Sequence, residues 1–318
     1  MLTLEMIKEA HERITPYVVK TPLLRLQNLD AALGCEVYVK AECMQNIGAF
    51  KLRGAMNRAM TLTKEEIDCG LVTASSGNHG RALAFAAKML GAKVTVVVPN
   101  TATLLKKEAI RALGAEIVEC DNTERFIVAE RIARETGATM VPPFNDEGVM
   151  AGQGTIGLEV MEQCPELDMV ISPVAGGGLL GGLATAIKGV APQVKVIGAE
   201  PSVRARYSES LKAGHPVTVE NHHTIADALA ALTPGEKCFP SVQKYVDEVV
   251  GVDDEYILKG MKLLLTEGKL LAEPSSCIVL GAILQGKIAV KPTDKVCLVI
   301  SGGNVAFEQL RMLDDVVI

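Results

Sequence analysis

The 318-residue sequence has no long hydrophobic run. No apolar stretch approaches the ~20 residues that an α-helix needs to cross a bilayer. The first 18 residues mix charged and apolar positions, which predicts an amphipathic helix, and they lack the unbroken apolar centre of a signal peptide. The sequence therefore predicts a protein without a membrane-spanning helix or a secretory signal.

An excess of positive charge is also missing, because the formal net charge is −6 at pH 7. This balance disfavours nucleic acids and anionic membranes as partners. The eight cysteines are scattered and form no C-x-x-C pair, which indicates reduced thiols in a cytoplasmic protein rather than a disulfide framework. With 48% hydrophobic and 22% charged residues, the chain can bury a large core and is long enough for two lobes.

No internal repeat or low-complexity segment interrupts the chain, and strand and helix patterns alternate almost throughout it. This alternation predicts an α/β fold with two parallel-sheet lobes that carry helices on both faces. Ligands of such sheets bind beyond the carboxyl ends of the strands, so we expect the active site in the cleft between the lobes. The predicted strands are 36–41, 71–74, 93–98, 116–120, 139–141, 170–172, 195–200 and 295–301, and the predicted helices are 54–61, 81–90, 102–113, 124–136, 155–164, 179–188, 207–214, 254–268 and 275–285.

A glycine-rich segment from Val170 to Gly182 lies at the centre of the chain and has the pattern of a strand, a tight turn and a helix. Glycines let backbone N–H groups close around an anion, and the helix N-terminus adds partial positive charge. The segment therefore predicts a phosphate-binding loop.

The same loop contains Gly176-x-Gly178-x-x-Gly181, which matches the dinucleotide fingerprint, and the next strand ends in Glu200. An NAD-dependent dehydrogenase is therefore one alternative. It assigns no role to the serine- and glycine-rich turns at 75–80 and 301–304 or to the lysine segment at 47–54.

Three segments accompany the glycine loop, namely Gly48-Ala49-Phe50-Lys51-Leu52-Arg53-Gly54-Ala55, Ser75-Ser76-Gly77-Asn78-His79-Gly80 and Ser301-Gly302-Gly303-Asn304. Together, in this order and over almost the whole chain, they resemble the fold type II pyridoxal-phosphate (PLP) enzymes, and in particular the threonine/serine dehydratases and serine racemases. The resemblance implies PLP as the cofactor and a tryptophan synthase β-like fold. It also implies a large domain of residues 1–50 plus 146–318, with a small domain of residues 51–145 inserted in it.

By this resemblance, Lys51 carries PLP as a Schiff base. Its apolar neighbours suit this role, because apolar surroundings disfavour the charged form of an amine. Asn78 is expected at the ring 3-hydroxyl oxygen, Ser301 at the pyridine nitrogen, and the glycine loop at the phosphate. The cofactor-binding residues so implied are Phe50, Lys51, Asn78, Asn145, Ala175, Gly176, Gly177, Gly178, Leu179 and Ser301.

Ser301 has a mechanistic consequence. A carboxylate at this position would keep the pyridine nitrogen protonated, whereas a serine hydroxyl leaves it neutral and makes the ring a weaker electron sink. A weaker sink suits a reaction in which the negative charge at Cα leaves at once by expelling a β-substituent. We therefore predict PLP-dependent β-elimination of a β-hydroxy amino acid, L-threonine or L-serine first, to a 2-oxo acid and ammonia.

The turn at 75–79 opens a predicted helix, so its N–H groups suit a substrate carboxylate. The substrate-binding residues are predicted to be Ser75, Ser76, Gly77, Asn78 and His79, of which His79 is expected to be structural more than catalytic. Ser76 corresponds to the second base of serine racemases, so a racemase is the alternative within the family. A PLP-binding protein without catalysis is a further alternative.

Relatives with a divalent-cation site have a glutamate at the position of Glu200 and an acidic residue six positions later. Here that later residue is Arg206, and Arg204 is close, so we predict no metal site and expect Glu200 to pair with an arginine. His222 and His223 are adjacent and lack a third ligand, which favours an exposed loop.

Two more segments match the family in part. The segment Thr224 to Ala228 usually ends in Asp-Gly, so Ala228 adds a methyl group that is expected to reshape the pocket, and Glu273 is placed near the pyridine side of the cofactor. The sequence ends soon after its last motif, so a C-terminal regulatory domain is not expected. We expect a homo-oligomer, a dimer or a tetramer, that acts on a small amino acid.

Overall fold

The computed structural model describes residues 1–318. Its helices are α1 (Leu4–Ile14), α2 (Asp30–Leu33), α3 (Lys51–Met60), α4 (Lys64–Cys69), α5 (Asn78–Leu90), α6 (Leu104–Arg111), α7 (Arg125–Thr136), α8 (Glu147–Gln163), α9 (Gly178–Val190), α10 (Arg206–Ala213), α11 (Phe239–Tyr245), α12 (Asp254–Thr266), α13 (Pro274–Leu284) and α14 (Phe307–Arg311). Its strands are β1 (Leu23–Arg25), β2 (Glu36–Ala41), β3 (Leu71–Ala74), β4 (Val94–Pro99), β5 (Glu116–Cys120), β6 (Thr139–Met140), β7 (Met169–Pro173), β8 (Lys195–Pro201), β9 (Glu248–Val252) and β10 (Lys295–Ile300). No helix has both the length and the apolarity that a membrane crossing requires.

The strands form two sheets. The larger sheet has the order β1-β2-β10-β7-β8-β9, and the smaller has the order β5-β4-β3-β6. All neighbours are parallel except β1, which runs antiparallel to β2 at the edge of the larger sheet. The four strands of the smaller sheet lie between residues 71 and 140, within the small domain of 51–145, whose boundaries stay a prediction.

Helices cover both faces of the larger sheet, as the central strand β10 illustrates. Val296, Leu298 and Ile300 pack into the core beneath α12 and α13, whereas the alternate residues Cys297 and Val299 pack into the core beneath α8 and α9. All five are fully buried. A strand alternates its side chains between the two faces, so apolar residues at every position are the expected signature of a parallel strand buried on both sides.

The predicted starts of three helices are wrong. α3 begins at Lys51 rather than 54, α5 at Asn78 rather than 81, and α8 at Glu147 rather than 155. In α8 the Asp146 side chain accepts a hydrogen bond from the Val149 N–H at 2.9 Å, which caps the helix, while its glycines lower the local helix propensity that the sequence presents. Both Lys51 and Asn78 therefore lie in the first turn of a helix.

Three turns meet at the carboxyl ends of the strands. They follow β3, β7 and β10, as expected for ligand-binding turns of parallel sheets. The segment before α3 joins the turn after β10, because the Phe50 N–H donates to the Ser301 carbonyl at 2.9 Å and Ala49 forms an isolated bridge with Gly302. The lysine segment and the C-terminal serine motif are thus in direct contact.

Candidate active site

Lys51 is the first residue of α3, and its side chain is half-buried. The Nζ atom donates to the Pro143 carbonyl at 2.6 Å and sits 5.1 Å from the centre of the Phe50 ring. No carboxylate pairs with it, and burial lowers the pKa of Lys51 to about 8. Its amine is therefore far more often neutral at physiological pH than that of an exposed lysine, as a nucleophile requires.

The lowered pKa predicts how the apoprotein will take up PLP. Only the neutral amine attacks an aldehyde, so the rate of covalent attachment should follow deprotonation of Lys51, whose pKa is about 8. We expect the rate to rise about tenfold from pH 7 to pH 9 and then to level off. Stopped-flow absorbance with N-acetyl-lysine amide as the control amine will check this, since an ordinary lysine should keep accelerating beyond pH 9.

The glycine loop after β7 has the form of an anion cradle. The backbone N–H groups of five consecutive residues donate to no backbone carbonyl; these are Ala175, Gly176, Gly177, Gly178 and Leu179. They precede or open α9, whose N-terminus adds partial positive charge. The loop thus leaves five donors free for an anion, and its binding of the cofactor phosphate stays a prediction.

Glycine is required at two positions of this loop. A Cβ at Gly176 would overlap the ring of Phe144, and one at Gly177 would overlap the Tyr207 hydroxyl, while Gly177 also has a φ of 96°. Phe144 and Tyr207 therefore shape the loop. The sequence reasoning missed both of them, because each comes from a distant segment with no motif of its own.

Asn78 belongs to a chain of hydrogen bonds that crosses from the small sheet to the large one. Its Nδ2 donates to the Glu273 carboxylate at 3.0 Å, and its Oδ1 accepts from Asn304 at 2.7 Å. Arg81 donates to the Asn304 Oδ1 at 2.5 Å. Burial raises the pKa of Glu273 to about 7, and the Asn78 hydrogen bond partly offsets this effect.

These hydrogen bonds bear on two of the predicted site residues, Glu273 and Asn78. Glu273 lies beside Gly302, and its place near the pyridine side of the cofactor stays a prediction. The parts played by Asn304 and Arg81 were missed. The contact of Asn78 with the ring hydroxyl stays a prediction, since Asn78 bonds here to protein groups.

Ser301 is buried at the end of β10, and its hydroxyl lies 2.9 Å from the hydroxyl of Ser276. Ser276 also exchanges hydrogen bonds with the backbone of Gly302, accepting from its N–H at 2.8 Å. The side-chain partner of the Ser301 hydroxyl is thus a neutral group. The position predicted to face the pyridine nitrogen therefore carries a neutral hydroxyl pair.

The turn after β3 places Ser75, Ser76 and Gly77 before α5. The Gly77 N–H donates to the Ser75 hydroxyl at 3.4 Å, and none of the turn's hydrogen bonds involves the Ser76 hydroxyl. His79 is buried, and its Nε2 lies 2.9 Å from the Val141 carbonyl, so Nε2 donates and Nδ1 carries no proton. Burial lowers the pKa of His79 to about 3, and the nearby Lys51 charge adds to the effect, so His79 stays neutral.

Asn145 has a left-handed backbone, with a φ of 60°. Its Oδ1 accepts a hydrogen bond from the Lys237 N–H at 2.8 Å, in a turn whose Gly235 N–H donates to the Gly176 carbonyl at 2.9 Å. Asn145 thus lies beside the phosphate loop, where its amide oxygen holds a neighbouring turn. Its contact with the cofactor stays a prediction.

The expected pairing of Glu200 with an arginine is wrong. The buried carboxylate accepts hydrogen bonds from the Tyr207 and Ser208 N–H groups at 2.9 and 2.8 Å, because it caps the N-terminus of α10. His222 lies in an exposed loop, as expected, and contacts Glu220. No group of three or more His, Cys, Asp or Glu residues is placed to hold a metal ion.

Residues 14–302 match the family model of the pyridoxal-phosphate dependent enzymes. The chain belongs to this family. Membership confirms PLP as the cofactor and fold type II as the architecture, and the loop of free N–H groups and the buried amine of Lys51 fit its phosphate and its aldehyde. The dehydrogenase alternative is wrong, since the chain belongs to the pyridoxal-phosphate dependent enzymes.

Relatives in this pyridoxal-phosphate family have two kinds of activity. The chain is 42% identical to the L-threonine ammonia-lyase of Thermotoga maritima over 319 residues, which span 100% of this chain and 78% of the relative. It is 40% identical to the serine racemase of Oryza sativa over 305 residues, which span 94% of this chain and 90% of the relative. The structure of maize serine racemase aligns with a TM-score of 0.93 at 38% identity and covers 98% of this chain and 96% of that one.

Proposed function

We propose that this PLP enzyme catalyses β-elimination of a β-hydroxy amino acid, L-threonine or L-serine first, and releases a 2-oxo acid and ammonia. The observation that carries the proposal is the pairing of the Ser301 hydroxyl with the Ser276 hydroxyl at 2.9 Å. A pyridine nitrogen that faces this neutral pair is not held protonated, and the ring is then a weaker electron sink. Immediate loss of the β-hydroxyl is therefore favoured over a long-lived negative charge at Cα. The resemblance to L-threonine ammonia-lyase supports the same choice.

Separate groups of the chain would bind the substrate and move its protons. The N–H groups at the start of α5 hold the substrate carboxylate, as the partial charge of a helix N-terminus favours. Bound PLP supplies the electron sink that makes the Cα proton acidic. With PLP bound, Lys51 Nζ would accept that proton, and its pKa of about 8 matches this role near neutral pH. The β-hydroxyl leaves with a proton as water, and hydrolysis of the released enamine consumes one water and yields the 2-oxo acid and ammonia.

A racemase needs a second base on the opposite face of the substrate, and Ser76 is the residue predicted for it. The Ser76 hydroxyl takes part in none of the turn's hydrogen bonds, and the neighbouring His79 is neutral and bonded to Val141. A serine without a basic partner is a poor proton acceptor. Elimination is therefore favoured over racemisation, although the rice serine racemase is nearly as similar as the lyase.

Replacement of Ser76 by alanine separates the two activities. We expect 2-oxo acid formation from L-serine to stay within about threefold of the unmodified enzyme, because Lys51 alone serves elimination, and any D-serine formation to fall by about 10²-fold or more. Coupled detection of pyruvate and chiral chromatography of serine measure the two products. Equal loss of both would mean that Ser76 serves substrate binding instead.

A substrate panel tests the proposed function itself. L-threonine, L-serine, 3-hydroxyaspartate and phenylserine are incubated with the holoenzyme, and 2-oxo acid, ammonia and the enantiomers of the amino acid are measured. We expect one ammonia for each 2-oxo acid and a rate of elimination that exceeds racemisation. Inversion of configuration without ammonia release would instead establish the racemase.

A further inference from the structure

Arg206 is a buried cation that the proposed chemistry does not use. Its side chain is fully buried in the first turn of α10, and its only hydrogen bond runs from Nη1 to the Val174 carbonyl at 3.1 Å. Its Nε and Nη2 atoms have no partner. A guanidinium without its full set of hydrogen bonds is costly to bury, so its presence at this place needs a physical reason.

The position of Arg206 points to the phosphate loop. Val174 is the residue just before the five free N–H donors, and it is fixed on its other side by the bond from its own N–H to the Ala199 carbonyl at 2.9 Å. The next residue, Tyr207, donates from its hydroxyl to the Gly176 carbonyl at 3.2 Å. Two consecutive residues of α10 therefore hold two carbonyls of the loop.

Holding these carbonyls orients the donors. In a planar trans peptide the C=O of one residue and the N–H of the next point in opposite directions. A Val174 carbonyl turned towards Arg206 aims the Ala175 N–H away from α10, and a Gly176 carbonyl turned towards Tyr207 aims the Gly177 N–H in the same way. Both N–H groups are among those left without a carbonyl partner.

The start of α10 is itself fixed. The Glu200 carboxylate, at the end of β8, accepts hydrogen bonds from the Tyr207 N–H, the Ser208 N–H and the Ser208 hydroxyl. Burial lowers the pKa of Arg206 to about 10, and Glu200 opposes that effect, so the guanidinium stays charged at neutral pH. A positive charge behind the loop also favours a dianion in front of it.

We propose that Arg206 is a positioning residue for the cofactor phosphate: it acts as an internal cation that holds the Val174 peptide with its N–H side turned to the phosphate. Arg206 does not touch the reacting atoms. Its contribution is to the recognition of the phosphate group, and it is independent of which amino acid the enzyme converts.

The test compares PLP with pyridoxal, which lacks the phosphate, on the apoprotein of Arg206→Met. Methionine keeps an apolar side chain of similar length and removes the charge and the hydrogen bond. Loss of a charge-assisted hydrogen bond should weaken PLP binding by about 10- to 100-fold. The affinity for pyridoxal, followed by the absorbance of its adduct with Lys51, should change by less than about threefold. The ³¹P chemical shift of bound PLP should move as well.

Thermal melting of the apoprotein separates positioning from a merely structural role. Replacing a poorly paired buried charge by an apolar side chain leaves stability unchanged or raises it, so the melting temperature of the Arg206→Met apoprotein should not fall. Arg204→Gln is the matched control, because Arg204 donates to the His222 carbonyl at 2.6 Å and touches no loop carbonyl. Its affinities for PLP and pyridoxal should both match those of the unmodified protein.

Tyr207→Phe provides a second variant if the methionine variant does not fold. It removes one of the two donors to the Gly176 carbonyl and leaves the Gly235 N–H, so it should weaken PLP binding by up to about tenfold while leaving pyridoxal binding unchanged. Equal losses for PLP and pyridoxal in the variant that folds, or unchanged PLP affinity, would overturn the proposal.

Discussion

Replacing Lys51 by alanine should reduce 2-oxo acid formation by about 10⁴-fold or more, because one side chain serves as both the nucleophile that attaches PLP and the proposed base. No second amine is placed to take over, since Lys51 Nζ is the lysine nitrogen that donates to the Pro143 carbonyl, at 2.6 Å. The measurement is the rate of pyruvate or 2-oxobutanoate release from L-serine or L-threonine.

Two further readouts show that the loss is chemical rather than structural. The alanine variant should still bind PLP through the phosphate loop, but borohydride should no longer link the cofactor covalently to the chain. Added methylamine should restore part of the activity, because it can supply a neutral amine in the space that the side chain vacates. Lys64→Ala is the matched control, since Lys64 is exposed on α4 and paired only with Asp68. Ammonia release at the unmodified rate would refute the assignment of Lys51.

The sheets could be predicted from local pattern. Every predicted strand lies within one residue of its observed bounds, because buried parallel strands are short apolar runs between glycines and polar turns. β1 and β9 were missed, since β1 has only three residues and β9 is interrupted by Gly251. Helix starts failed where the first turn carries site residues, as at Lys51 and Asn78, because neither helix has a side-chain N-cap to announce it.

The site was predictable only as far as its motifs extend. Lys51, the glycine loop and Ser301 each carry local signals, namely an amine in an apolar segment and turns after strands. The residues that shape them do not. Phe144 packs on the loop although it precedes it by about thirty positions in the sequence. The Asn304 amide completes a series of hydrogen bonds that begins at Glu273. Such contacts depend on how the two sheets face each other, which no single segment specifies.

A second large effect is expected two residues after Lys51, at Arg53. Its guanidinium is fully buried and donates to Glu42 at 2.8 Å and to Glu159 at 2.6 Å, while Lys40 also donates to Glu159 at 2.6 Å. The two cations and two anions balance within the core, and they join β2 and the turn after it to α3 and α8. Burial alone would lower the pKa of Arg53, but the carboxylates of Glu42 and Glu159 raise it above its ordinary value. Burial alone would raise the pKa of Glu159, but the cations of Arg53 and Lys40 lower it.

Replacing Arg53 by methionine should lower the free energy of unfolding of the apoprotein by about 3–5 kcal/mol, because it leaves a buried carboxylate without a counter-charge. Glu159 keeps its ion pair with Lys40, so the uncompensated charge is that of Glu42. The remaining side-chain partner of Glu42 is the Thr21 hydroxyl, which donates to it at 2.5 Å. Arg58→Met on the same helix is the control. Arg58 forms an ion pair with Asp146 at 3.3 Å in which both side chains still reach water, so its loss should cost about 1 kcal/mol or less.

A second substitution tests whether the unpaired Glu42 carboxylate causes the loss of stability. Adding Glu42→Gln to Arg53→Met removes that charge and should recover more than half of the lost stability. Glu42→Gln alone should destabilise the protein, because Arg53 and Lys40 would then share the single anion of Glu159. Urea unfolding of the four apoproteins measures the cycle. A double variant no more stable than Arg53→Met would mean that packing of α3 against α8, rather than charge, is what Arg53 contributes. In that case Lys51, at the start of the same helix, would depend for its position on side-chain volume and not on the buried ion pairs.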